Sequence, residues 1–165
     1  HRDLHSFPTR RSSDLGVSNR PDDIIKTFAL GSCVAIVAYF PAVRAAGMIH
    51  VALPDSTLDR AKASVKPGYF ADSGIPVFLS QLKKLGVNGS SGLSIKLFGG
   101  ANVMDPNNVF NIGKRNVLSI RKILWQNRLA PHAEDVGANY SRTVWIEVAT
   151  GKVFARSPGR GQWEL

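Results

Sequence analysis

Cys33 is the only cysteine in this 165-residue chain, and it stands between Gly31–Ser32 and the uncharged run Val34 to Phe40. Seventeen residues further on, His50 lies in the segment GMIHVALP. A thiol and an imidazole together suit acyl transfer. The thiolate is a strong nucleophile, and the imidazole can take its proton and return it to a leaving group. The Gly-Ser pair ahead of the cysteine lets another backbone or a ligand approach closely. Taken singly, each residue also has a structural reading: a lone cysteine beside a buried strand is a small core hydrophobe, and a histidine in an apolar strand is a hydrogen-bonded core residue. His132, beside Pro131 in a turn, is a rival to His50 as a base, but the surface-loop reading is the better one for it.

These side chains need elements to bring them together. Val34 to Phe40 carries valine, isoleucine, tyrosine and phenylalanine without a charge and predicts a buried strand. Gly47 to Leu53 predicts a second, joined through Pro41 to Ala46; if the two pair, a Cys–His contact becomes geometrically possible. Asp55 to Gly68 reads as a loop. Asp72 or Ser73 is placed to cap a helix whose apolar residues fall at Ile75, Phe78, Leu79, Leu82 and Leu85, with Pro76 in its first turn and Gly86 ending it. Leu93 to Phe98 predicts a strand running into Gly99–Gly100, a tight turn, although paired glycines can also cradle an anion. Asp105 to Phe110 reads as a loop, and IGKRN at 112–116 opens a second helix with Val117, Ile120, Ile123 and Leu124 inward. Val144 to Val148 and Val153 to Arg156 form a hairpin, and residues 158–165 read as a loose tail. The expected fold is α+β: a layered sandwich of mixed β-sheet with two main helices rather than a doubly wound sheet. Neither a P-loop nor a dinucleotide fingerprint is present.

Length and a hydrophobic content of 44% suit one domain, over residues 16–157. One cysteine excludes an internal disulfide framework, and four histidines without paired Cys/His spacing give no metal pattern. No apolar run approaches the ~20 residues of a membrane span, and no signal peptide is visible, so a reduced, cytoplasmic setting is the default. Lys plus Arg total 21 against 12 Asp plus Glu, a net charge of +9. The basic residues are scattered along the chain without an RNA-binding signature, which reads as a solvated basic surface and leaves attraction to an acidic protein open. The first fifteen residues, HRDLHSFPTRRSSDL, have no apolar period. From His5 to Leu15 they resemble the conceptual translation of a sequencing-library adapter, and they are set aside as non-native.

From about Asp23 to Ala155 the chain resembles the chemoreceptor glutamine deamidase family CheD. The resemblance is carried, in order, by ALGSCVAIVAY, GMIHVALPDS, KPGYFADSGIPVFLSQLKKLG, IKLFGGANVM, NIGKRN and EDVGANYSRTV. It implies a compact layered domain similar to the catalytic domain of cytotoxic necrotizing factors. It also implies hydrolysis of glutamine side-chain amides on methyl-accepting chemotaxis receptors, without metal or organic cofactor. The family's catalytic cysteine, histidine and threonine match Cys33, His50 and Thr27; alone, Thr27 would be an ordinary strand residue. Some members bind the chemotaxis phosphatase CheC, so a non-catalytic adaptor regulating such a phosphatase is the alternative. A general cysteine hydrolase acting on another amide is a third reading. The chain departs from the family pattern at Ala138 and Ser141, where glycines are common, and at Phe40, where an acidic residue is common.

The implied chemistry sets roles. Cys33 attacks the side-chain carbonyl to give a thioester, and His50 helps ionise the thiol, protonates ammonia and then activates water. Thr27 orients the imidazole, and the backbone N–H groups of Ser32 and Cys33 are the natural oxyanion donors.

Overall fold

A computed structural model describes residues 15–103, 105, 107 and 109–165. The adapter-like segment lies outside these residues except for its last, Leu15, which opens the first strand. In chain order the elements are β1 (Leu15–Ser18), β2 (Ile24–Leu30), β3 (Val34–Phe40), β4 (Ala45–Val51), α1 (Arg60–Val65), α2 (Ala71–Lys84), β5 (Ser94–Gly99), α3 (Ile112–Gln126), β6 (Ala133–Val136), β7 (Arg142–Glu147), β8 (Val153–Ser157) and β9 (Gly161–Glu164). One sheet has the order β1-β4-β3-β5-β6 and the other β2-β7-β8-β9. All pairings are antiparallel except β5 with β6, so the α+β class and the mixed sheet are as expected.

The layers follow from the two faces of β3 and β4. Val34, Ile36, Ala38, Ile49 and Val51 join Ile75, Phe78, Leu82, Val117, Ile120 and Leu124 in a core beneath α2 and α3. The alternate residues Ala35, Val37, Ala46 and Met48 pack with Ile25, Val144, Ile146, Val153 and Ala155 of the second sheet. The five-stranded sheet is therefore the middle layer, and β4 is buried on both faces along its whole length. Gly47 is required there: a Cβ at this position would lie 2.6 Å from the Phe78 ring.

Several elements differ from the sequence reading. The second strand runs Ala45–Val51, two residues earlier than expected, because a turn at Pro41–Val43 ends with Arg44 in the left-handed region and returns the chain at once. The expected loop 55–68 contains α1, whose first turn is capped by Asp59 accepting from Lys62 N–H at 3.0 Å. Helix α2 has no side-chain cap. Its first N–H groups go instead to the Leu53 and Pro54 carbonyls, and Asp72 turns outward to bind the Ser56 N–H and hydroxyl. The tail is not loose: β9 pairs with β8, and Trp163 Nε1 donates to Asp135 Oδ2 at 2.7 Å.

Two of the family departures acquire a structural account. Phe40 packs onto the helix-side core. Ala138 has φ of 61°, where a Cβ is strained. Ala138→Gly is expected to stabilise the fold by about 1 kcal/mol, read as a higher denaturant midpoint with unchanged slope. An unchanged or lower midpoint would show that this loop does not hold Ala138 in the strained conformation.

Candidate active site

The β3–β4 register pairs Ala35 with His50 and Val34 with Val51. Cys33 precedes Val34 and packs, like Ala35, against the inter-sheet core, so it lies diagonally from His50 on the same face. Thr27 comes from the other sheet. It shares the inward face of β2 with Ile25, just before the register shift between Thr27 and Leu30. Thr27 Oγ1 lies 2.6 Å from His50 Nδ1. The structure thus gathers the three sequence-predicted residues at one end of the space between the sheets.

His50 is 6% exposed, and burial lowers its pKa to about 4, so the ring is neutral at pH 7. Its Nε2 is buried and without a hydrogen-bond partner among the described residues. If Nδ1 carries the proton and donates to Thr27 Oγ1, Nε2 presents a lone pair. Burial pushes the Cys33 thiol up, while its own backbone N–H pulls the other way. Desolvation therefore keeps both groups uncharged at rest, against the expectation that His50 holds a thiolate at neutral pH.

The segment carrying Cys33 is clamped through its carbonyls. Gly31 O accepts from Ala101 N at 2.8 Å, and Cys33 O from Gly100 N at 2.9 Å. Gly99 makes this possible: its φ is +103°, and a Cβ there would stand 2.3 Å from Cys33 O. The paired glycines do form the expected tight turn, and the turn is built against Cys33.

Two residues were missed by the sequence reading. Asn116, on α3, is fully buried, and its Nδ2 donates to Ser32 O at 3.0 Å and to Ala52 O at 2.9 Å. The available signal was a carboxamide on the inward stripe that also holds Gly113, Val117 and Ile120. Arg142 is 1% exposed and bonded to Asp135 Oδ1 and to the Gly137 and Tyr140 carbonyls, which shapes the 137–141 loop. His132 is not at the site. Its Nδ1 accepts from Ile95 N at 3.1 Å and holds the start of β6 to β5.

Beside the clamp lies a cavity of about 440 Å³ lined by Ser32, Ala101, Phe110, Val117, Leu118 and Val136 among others, and not by Thr27, Cys33 or His50. Among the described residues no group of three or more His, Cys, Asp or Glu is placed to hold a metal ion, and no helix is long and apolar enough to cross a membrane.

A thiol, an uncharged imidazole and an orienting hydroxyl between two sheets are the parts that acyl transfer to sulfur requires. Residues 52–157 match the family model of CheD, described as CheD chemotactic sensory transduction. A protein of Syntrophotalea carbinolica named "Probable chemoreceptor glutamine deamidase CheD" is 53% identical over 153 residues, covering 92% of this chain and 94% of that protein. A Syntrophus aciditrophicus protein named "Probable chemoreceptor glutamine deamidase CheD 1" is 46% identical, covering 93% and 95%. One from Solibacter usitatus, named like the first, is 41% identical over 148 residues, covering 90% and 87%. The chain belongs to the CheD family. The family model begins after Thr27, Cys33 and His50, whereas the first of these alignments spans 92% of the chain and so includes all three positions.

The pH dependence of stability follows from His50. Between its ordinary 6.5 and the folded value of about 4, the unfolded chain binds a proton that the folded chain does not. Stability is therefore expected to fall as pH drops through that window, with about 3 kcal/mol of the loss due to this residue. Denaturant titrations of the parent and His50→Gln at several pH values test this; equal slopes in that window would refute it.

Proposed function

We propose that this chain hydrolyses glutamine side-chain amides on methyl-accepting chemotaxis receptors, giving glutamate and ammonia, with Cys33 as nucleophile. The observation that carries the reading is the 2.6 Å contact between Thr27 Oγ1 and His50 Nδ1, which orients a neutral base whose other nitrogen is unengaged. The names of the relatives supply the substrate class.

In this reading the substrate amide enters beside Ser32, and Cys33 Sγ attacks its carbonyl carbon as His50 Nε2 takes the thiol proton. Proton transfer accompanies attack, because burial opposes a preformed thiolate–imidazolium pair. The backbone N–H groups of Ser32 and Cys33 receive the negative oxygen, each donor contributing about 3 kcal/mol to the transition state. Collapse breaks the C–N bond, and ammonia leaves with the proton held by His50. Water then adds to the thioester, giving one proton to Nε2. As the C–S bond breaks, that proton returns to sulfur and the glutamate carboxyl is released. Thr27 keeps the ring turned for both halves. The reaction needs no metal or organic cofactor and belongs in the cytoplasm, where a lone thiol stays reduced.

The alternative is a non-catalytic adaptor that binds a CheC-type phosphatase. Binding alone has no use for an oriented neutral base beside a thiol, so the site's geometry favours catalysis.

A receptor cytoplasmic fragment with glutamines at its modification sites provides the test. Incubated with the parent, it is expected to gain ~1 Da per converted glutamine with matching ammonia release, and Cys33→Ala is expected to give neither. Thr27→Val should lower kcat by about tenfold or more. No conversion by the parent, with the fragment folded and Cys33 reduced, would exclude the deamidase reading for that receptor.

A further inference from the structure

The sequence shows scattered basic residues, but the fold gathers some of them. Residues 106–133 contain Lys114, Arg115, Arg121, Lys122 and Arg128 and no acidic residue. At 100° per residue, Lys114, Arg115, Leu118, Arg121, Lys122 and Trp125 fall within an arc of about 120° on α3. All six are exposed; Leu118 is 51% and Trp125 77% accessible, large apolar surfaces left in water between cations.

Arg121 is paired with Glu134, whereas among the described residues Lys114, Arg115 and Lys122 enter no ion pair. Asp105, which lines the same cavity as Lys114 and Arg121, is held ionised by the Val109, Phe110 and Asn111 N–H groups; against three unpaired cations it leaves the face net positive. This face borders the segment that precedes Cys33. Lys114, Leu118 and Arg121 line the same cavity of about 440 Å³ that Ser32 lines from the other side.

We infer that the outer face of α3 docks an acidic, amphipathic segment of the protein substrate, whose apolar side chains cover Leu118 and Trp125 and fill the cavity next to Ser32. The identity of the partner rests on the deamidase reading; the chemistry of the surface does not. Uncompensated positive charge calls for an acidic partner, and the exposed apolar groups call for one with an apolar face. The distance from Lys114 to Trp125 along the helix, about 16 Å, suits an elongated segment. A segment lying there reaches the cavity at Ser32, the residue before Cys33.

Binding is read apart from turnover in the Cys33→Ala background, using the same receptor fragment at low salt. Adding Lys114→Glu and Lys122→Glu is expected to weaken binding at least about tenfold and to flatten its salt dependence, while Leu118→Ser weakens it with the salt dependence retained. Unchanged affinity in the charge-reversed chain, or no binding by the Cys33→Ala chain, would overturn the docking face. Equal competition by double-stranded DNA or anionic vesicles would also overturn it, as a general anion-binding surface. Turnover by chains with Cys33 intact separates the two ideas. Charge-sensitive binding without conversion sinks the deamidase reading alone, and conversion with KM unmoved by charge reversal sinks the docking alone.

Discussion

One buried carboxamide joins the strand that carries the thiol to the strand that carries the imidazole. Asn116 Nδ2 donates to Ser32 O, one residue before Cys33, and to Ala52 O, two residues after His50. Both carbonyls lie at the ends of strands, where the β3–β4 ladder no longer holds them, so without Asn116 each would face a low-dielectric interior with one partner fewer. Gly99 supplies the other half of the constraint, since only a residue without a Cβ lets β5 close onto the Cys33 carbonyl. The helix layer and the middle sheet thus act on the backbone of the site, while the second sheet acts on its chemistry through Thr27.

That division explains why the site is placed between the sheets rather than on an open loop. The inter-sheet space excludes water, which strengthens every contact the transition state makes but disfavours charge at rest. The neutral thiol and imidazole are the direct result, and they suit chemistry in which a proton moves only when an amide is present. The fold holds His50 through Nδ1 and leaves Nε2 unengaged. A buried polar atom without a partner has a cost, and an active site is where such a cost is retained.

Much of this was legible in the sequence, and the parts that were not share a cause. Val34 to Phe40 was read with its observed bounds because an uncharged β-branched run buried on both faces has no competing pattern. The inward faces of α2 and α3 were legible from their spacing. The cap of α2 was misread because Asp72 and Ser73 have the right side chains, whereas the carbonyls of Leu53 and Pro54, brought up from the end of β4, took their place. Residues 158–165 read as loose because four residues with one aromatic carry little strand signal, and the Trp163–Asp135 hydrogen bond that holds them is a contact across 28 residues. Thr27, Cys33 and His50 were named through family resemblance; their residue types alone left structural readings open.

Helix α3 shows how one element serves both needs. Its inward stripe of Gly113, Asn116, Val117, Ile120 and Leu124 is buried, and the carboxamide within it holds Ser32 O, next to Cys33. Gly113 sits where a Cβ would lie 2.4 Å from Gly100 O, so the helix begins in contact with the glycine turn that follows β5. Its outer stripe is basic and apolar and shares a cavity with Ser32. Asn116 therefore ties the helix that carries this outer stripe to the backbone at Ser32 and Ala52. The same helix thus gives the site's backbone a buried hydrogen-bond donor from one face and presents a basic, partly apolar surface from the other.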